Sequence, residues 1–164
     1  MKVRRLEPGE AALLKDLRLR ALAEAPTAFA HTHAEISARP DSYWEEMTRG
    51  LTEPGLHVMF VAEAEGRAIG MAFGVLQRER PDVPHVGGMW VDPATRAGGV
   101  GSALTAAVLD WARERGFQRI GLWVTEGNAA AIALYERMGF TPTGRRDRQP
   151  VAPDLGILEM ERAL

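Results

Sequence analysis

The stretch Val91-Asp92-Pro93-Ala94-Thr95-Arg96-Ala97-Gly98-Gly99-Val100-Gly101-Ser102 admits few architectures. It begins as a strand, turns at a proline and passes through a glycine-rich loop into an amphipathic helix. Val100, Leu104, Ala107, Val108, Trp111 and Ala112 recur at three- and four-residue spacing, and Gly116 stands where a left-handed C-terminal cap belongs. A helix N-terminus presents backbone N–H groups without internal partners and carries a partial positive charge. Glycines let a bulky phosphate approach those amides closely. Arg96 adds a fixed cation with several donors. The loop therefore reads as a cradle for a pyrophosphate.

Two familiar phosphate loops fit poorly. A P-loop needs Gly-Lys-Ser/Thr, and the segment holds no lysine. A dinucleotide fingerprint needs a third small residue where this chain has Leu104. A glycine-rich strand-to-helix turn without a ligand is the competing reading.

A second segment narrows the choice. Arg119 to Thr125 reads as a buried strand, Asn128 as a helix cap, and Ala129 to Met138 as a short helix stopped by Gly139. Asn128 and Tyr135 are seven residues apart, about two turns, which would place them on nearly the same side. By themselves they also read as a simple cap and an ordinary half-buried tyrosine.

Taken together, Arg96-x-x-Gly99-x-Gly101 after Val-Asp-Pro, followed by Asn128-x-x-Ala131-x-x-x-Tyr135-x-x-x-Gly139-Phe140, resembles the GNAT superfamily of acyl-CoA N-acyltransferases. The resemblance spans about residues 57 to 164 and is strongest from 85 to 140. It implies an α+β, three-layer α/β/α fold: a mixed, mostly antiparallel sheet of about seven strands, helices on both faces, and splayed fourth and fifth strands. It implies acetyl-CoA as cosubstrate, with pantetheine in the splay against the backbone of Met89, Trp90 and Val91. The pyrophosphate would lie on Arg96, Ala97, Gly98, Gly99, Val100, Gly101 and Ser102, and Asn128 would bond the pantetheine or nearby backbone. Tyr135 would be the general acid that protonates the leaving sulfur.

Composition sets bounds around that reading. The 164 residues suit one domain, 1–164, and 46% apolar with 26% charged residues is ordinary for a soluble globular protein. A net charge of −2 gives no strong pull towards nucleic acid or anionic membrane. The charged start and the lack of a long apolar run predict a cytoplasmic protein. Without cysteine there is no disulfide and no acyl-cysteine intermediate, so acyl transfer would go directly from thioester to amine. His31, His33, His57 and His85 are not spaced as zinc ligands, and no metal is expected.

Along the chain, Lys2–Leu6 reads as a strand, Glu10–Ala25 as a helix broken by Pro26, and Ala28–Arg39 as holding a short helix. Asp41 would cap the next helix, which runs through Trp44 and Met47 to about Leu51. His57–Glu63 and Ala68–Gln77 form a hairpin across Glu65-Gly66-Arg67. Arg78–Pro84 reads as a polar loop, and His85–Val91 as a strand whose Gly87-Gly88 favours a bulge. Arg145, Arg146, Asp147 and Arg148 fall in a loop before a last strand near Leu155–Glu161.

The base that deprotonates the acceptor is open. Relatives often place a glutamate on the fourth or fifth strand, where this chain has Gly87, Gly88, Met89 and Trp90, or Leu122, Trp123 and Val124. Glu126 and His85 are the candidates, acting through water. Ala25–His31 and the helix with Trp44 would wall the acceptor site. The leading reading is an N-acetyltransferase acting on a primary amine of a small molecule or peptide, and a homodimer is compatible with it. The alternative is a catalytically silent acyl-CoA-binding sensor.

Overall fold

The computed structural model describes residues 1–55 and 57–164. Its elements are β1 (Lys2–Arg5), α1 (Ala11–Glu24), α2 (His33–Ser37), α3 (Asp41–Thr52), β2 (Val58–Ala64), β3 (Arg67–Gln77), β4 (Arg80–Val91), α4 (Val100–Glu114), β5 (Arg119–Thr125), α5 (Ala129–Arg137), β6 (Thr141–Gln149) and β7 (Ala152–Ala163). A 3-10 turn over Pro93–Thr95 joins β4 to the glycine loop. The strands form one sheet in the order β1-β2-β3-β4-β5-β7-β6. All neighbours are antiparallel except β4 and β5.

Alternation along β2 shows how the layers arise. Val58, Phe60 and Ala62 join one buried cluster with Leu104, Val108 and Trp111 of α4. Met59 and Val61 join the other, with Leu14, Leu17 and Leu22 of α1 and Trp44 of α3. Successive strand residues point to opposite faces, and both faces here are covered by helices. The expected three-layer arrangement is therefore the one observed. Gly74 of β3 marks how closely α4 is seated, because a Cβ there would stand 2.6 Å from the Trp111 ring.

The hairpin between β2 and β3 turns at Glu65 (φ 53°) and Gly66 (φ 74°), the two left-handed residues of a tight primed turn. Asp41 opens α3 without capping it by its side chain; its carboxylate pairs with Lys15 at 2.9 Å instead. The cap farther up the chain belongs to Thr32, in a reciprocal capping box with Glu35 before α2.

Two segments read as loops are strands. Residues 80–84 extend β4, with Pro84 opposite Leu76 and a register shift absorbing the irregularity. Arg145, Arg146, Asp147 and Arg148 lie on β6, paired with β7. As the edge strand, β6 is exposed from Thr141 to Arg148, so it carries no apolar alternation to reveal it. No helix among the described residues is long and apolar enough to cross a membrane.

Candidate active site

The cradle is assembled from Asp92 onward. The Asp92 carboxylate accepts from the Ala94 amide (3.0 Å), from Arg20 (2.7 Å) and from Arg67 (2.9 Å). These bonds, the Ala94 amide foremost, hold its carboxyl below the usual carboxylate range. The turn that leaves β4 is thereby fixed. Ala97 follows with φ 65°, a left-handed conformation that costs a non-glycine residue roughly 1 kcal/mol. Gly99 (φ 80°, ψ 1°) caps α4 with no side-chain acceptor for the first turn. Among the described residues the amides of Gly99, Val100, Gly101 and Ser102 find no backbone acceptor. They are the free donors a diphosphate requires.

These residues open onto a groove of about 700 Å³. Met89, Trp90, Val91, Arg96, Ala97, Gly99, Val100, Gly101, Ser102 and Asn128 all line it. Gly98 is not among the lining residues. The far wall is α5, through Ala131, Leu134 and Arg137. Gly101 lets α4 and α5 meet, since a Cβ there would stand 3.0 Å from the Leu134 side chain.

Arg96 does not point freely at the cradle. Its Nη2 donates to Glu24 at 2.6 Å and its Nε to the Val91 carbonyl at 3.1 Å. Glu24 also accepts from the Trp90 indole at 3.1 Å. Sequence reading missed Glu24, and no local signal marks it: it ends α1 and meets Arg96 seventy-two residues later.

The sheet opens beside the groove. Among the described residues β4 and β5 pair only at His85↔Gly121 and Val86↔Leu122. Beyond that point β4 stays with β3 and β5 with β7, leaving two facing edges without ladder partners. A bulge at the opening carries Gly88 at φ 54°, and a Cβ there would overlap the Phe73 ring. Facing backbone edges accept a strand-like ligand bearing its own amides.

Tyr135 and Asn128 are not presented to the same space. Asn128 caps α5 by accepting from the Ala131 amide at 3.2 Å, and it lines the groove. Tyr135 turns inward and packs edge-on to Phe140, with ring centroids 5.8 Å apart. It shares a buried cluster with Val86, Leu122 and Val124, the residues around the strand opening. Burial pushes its phenol well above the ordinary value. Its hydroxyl makes no protein hydrogen bond among the described residues.

Ala25, Ala28 and Phe29 close the other end of the groove. Their loop is pinned at the Thr27 carbonyl, which accepts from Gln149 at 2.7 Å and Thr125 at 3.4 Å. Trp44 is fully buried beneath α1 and is not part of the wall. Neither base candidate lines the groove. Glu126 lies over Gly156, with Arg146 3.3 Å away. His85 is buried, 3.6 Å from Glu159, whose carboxylate also binds Arg80 and Arg145. Arg145 in turn covers Trp123, with 5.7 Å from its Cζ to the ring centroid. No group of three or more side chains suited to holding a metal ion occurs among the described residues.

An opened mixed sheet, a helix N-terminus with free amides and a groove joining them form one continuous candidate site. The chain belongs to the acetyltransferase (GNAT) family, whose model matches residues 18–140. It is 38% identical over 128 residues to mycothiol acetyltransferase of Salinispora arenicola, covering 76% of this chain and 39% of that protein. The chain thus spans about two fifths of the length of that relative. The fold matches a GNAT-family acetyltransferase from Streptococcus pneumoniae with TM-score 0.85 and 20% identity, covering 99% of this chain and 98% of that one. It also matches yncA of Salmonella typhimurium, solved with its cofactor acetyl-CoA, with TM-score 0.78 and 22% identity over 100% and 94% of the two chains.

Proposed function

We propose that this protein transfers the acetyl group of acetyl-CoA directly to a primary amine. The observation that carries this reading is the row of unpartnered amides at Gly99–Ser102, opening onto the same groove as the free edge of β4. The diphosphate sits on that row. Pantetheine runs between the separated β4 and β5 edges towards the Gly88 bulge, and the amine enters past Ala28 and Phe29. The nitrogen attacks the thioester carbon, a C–N bond forms, and the C–S bond breaks. Charge that builds on sulfur is met by the Tyr135 hydroxyl. Burial keeps that phenol protonated, so it remains a donor across the working pH range. Sulfur leaves as the thiol, and the phenol recovers its proton from the one the amine gives up.

The test is a thermal-shift and thiol-release panel. Acetyl-CoA and CoA should raise the melting temperature while NAD and ATP do not, and free thiol should appear when amines are added. Stabilisation by acetyl-CoA with no thiol released across a broad amine library would favour a silent sensor. Stabilisation by NAD alone would remove the reading.

A further inference from the structure

The half-buried Arg4, Arg20 and Arg80 meet carboxylates, as does the more exposed Arg96, and the half-buried Arg162 donates to the Met138 and Ala163 carbonyls. Arg4 binds Glu10 and Glu63, Arg20 binds Asp16 and Asp92, Arg80 binds Glu159 and Glu161, and Arg96 binds Glu24. Arg18 does not. It is 9% exposed on the inner face of α1, and among the described residues it has neither a hydrogen bond nor an ion pair. Its guanidinium is held between two rings, 5.3 Å from the Phe29 centroid and 5.7 Å from that of Phe73. Burial pushes its pKa below the usual value, and the Tyr43 phenol acts in the opposite sense. A buried cation without a counter-charge is costly, and aromatic faces offset only part of that cost.

Its position supplies a reason to keep it. Phe29 lines the end of the groove through which the acceptor enters. Phe73 is paired with Gly87 and lies under Gly88, at the bulge where β4 leaves β5. Arg18 itself is not among the residues lining the groove; it stands directly behind Phe29 of the acceptor wall and against Phe73, the residue beneath the reacting end of the cleft. We propose that Arg18 binds the carboxylate of the acceptor, so that the substrate class is an amine that also carries a carboxylate, as in an amino acid. The planar guanidinium suits a carboxylate through two parallel hydrogen bonds, and the ligand completes an ion pair the fold leaves open. This inference rests on the acetyl-transfer reading above.

The experiment compares kcat/KM for matched acceptors with and without the carboxylate: L-2,4-diaminobutyrate against 1,3-diaminopropane, L-ornithine against putrescine, L-lysine against cadaverine, and glycine against methylamine. A charge-assisted bond of this kind predicts a preference of about 10- to 100-fold for the carboxylated member of at least one pair. In Arg18→Met the preference should fall to about one, while the melting temperature without ligand stays the same or rises, because an unpaired buried charge has gone. Arg18→Lys keeps charge without the planar fork and should retain an intermediate preference; it carries the test if Arg18→Met fails to fold. Arg145→Met, which removes an exposed cation, should leave the preference intact. Equal use of both members of every pair, no turnover of any carboxylated member, or an undiminished preference in Arg18→Met overturns the proposal. Stabilisation by acetyl-CoA is read in parallel. Its absence in the unaltered protein fails acetyl transfer itself, whereas its presence without a carboxylate preference fails only the role of Arg18.

Discussion

Replacing Tyr135 with phenylalanine separates a chemical role from a packing role. The ring fills the core beside Phe140 and stays in place in the variant. Tyr135 is 6% exposed and its hydroxyl has no protein partner among the described residues, so removing it breaks no protein hydrogen bond. With no protein hydrogen bond lost and the ring retained, Tyr135→Phe should leave stability unchanged or raise it by less than about 1 kcal/mol. Loss of an acid or donor at the leaving group is worth about 100-fold or more in rate, or about 2.7 kcal/mol of barrier. The expected pattern is a kcat at least about 100-fold lower, an acetyl-CoA dissociation constant changed less than about threefold, and an unfolding midpoint equal or higher. Thiol release at saturating substrates, calorimetric titration with acetyl-CoA and urea denaturation read the three quantities. An unchanged kcat would refute the role assigned to the hydroxyl. A drop in stability of 1 kcal/mol or more would refute the premise that it lacks a partner.

Other outcomes follow from single observations. Gly99→Glu places a carboxylate beside the free amides and should weaken acetyl-CoA binding by more than about 100-fold through like-charge repulsion; equal affinity would mean the loop is not the diphosphate site. Gly88→Ala combines a left-handed backbone with overlap on Phe73 and should cost about 2–4 kcal/mol in denaturant titrations, the backbone and overpacking contributions adding. His85 donates from Nδ1 to the Val83 carbonyl at 3.0 Å, and burial pushes its pKa below the usual value. Its stabilising contribution is complete above about pH 6.5 and is lost as pH falls towards the lowered value in the fold. Stability measured between about pH 7 and 5 should therefore depend less on pH in His85→Gln than in the unaltered protein.

The parts of the site that were legible in the sequence are those made by local backbone chemistry. Gly99 and Gly101 before an apolar stripe announce the cradle, and Asn128 announces the α5 cap, because each acts within one turn of its position. Less legible were contacts formed by distant segments. Glu24 pairs with the Arg96 side chain that the sequence assigns to the diphosphate, a contact no local pattern announces. Arg18 is one cation in a helix of weak amphipathic contrast, and only the assembled layers show that it meets rings in place of acids. The Ala97 conformation is equally hidden, since alanine carries no preference for a left-handed backbone. β6 escaped because both faces of an edge strand can be wet, and the start of β4 because Pro84 imitates a loop. On α5, seven residues of spacing placed Asn128 and Tyr135 together, but Asn128 serves as the cap while the sheet draws Tyr135 inward.

A structure of the CoA complex tests the central claim most directly. The account predicts diphosphate oxygens about 2.7–3.2 Å from the amides between Gly99 and Ser102, with sulfur beside the Tyr135 hydroxyl where β4 and β5 separate. CoA seated away from α4, or its sulfur out of reach of that hydroxyl, would contradict it.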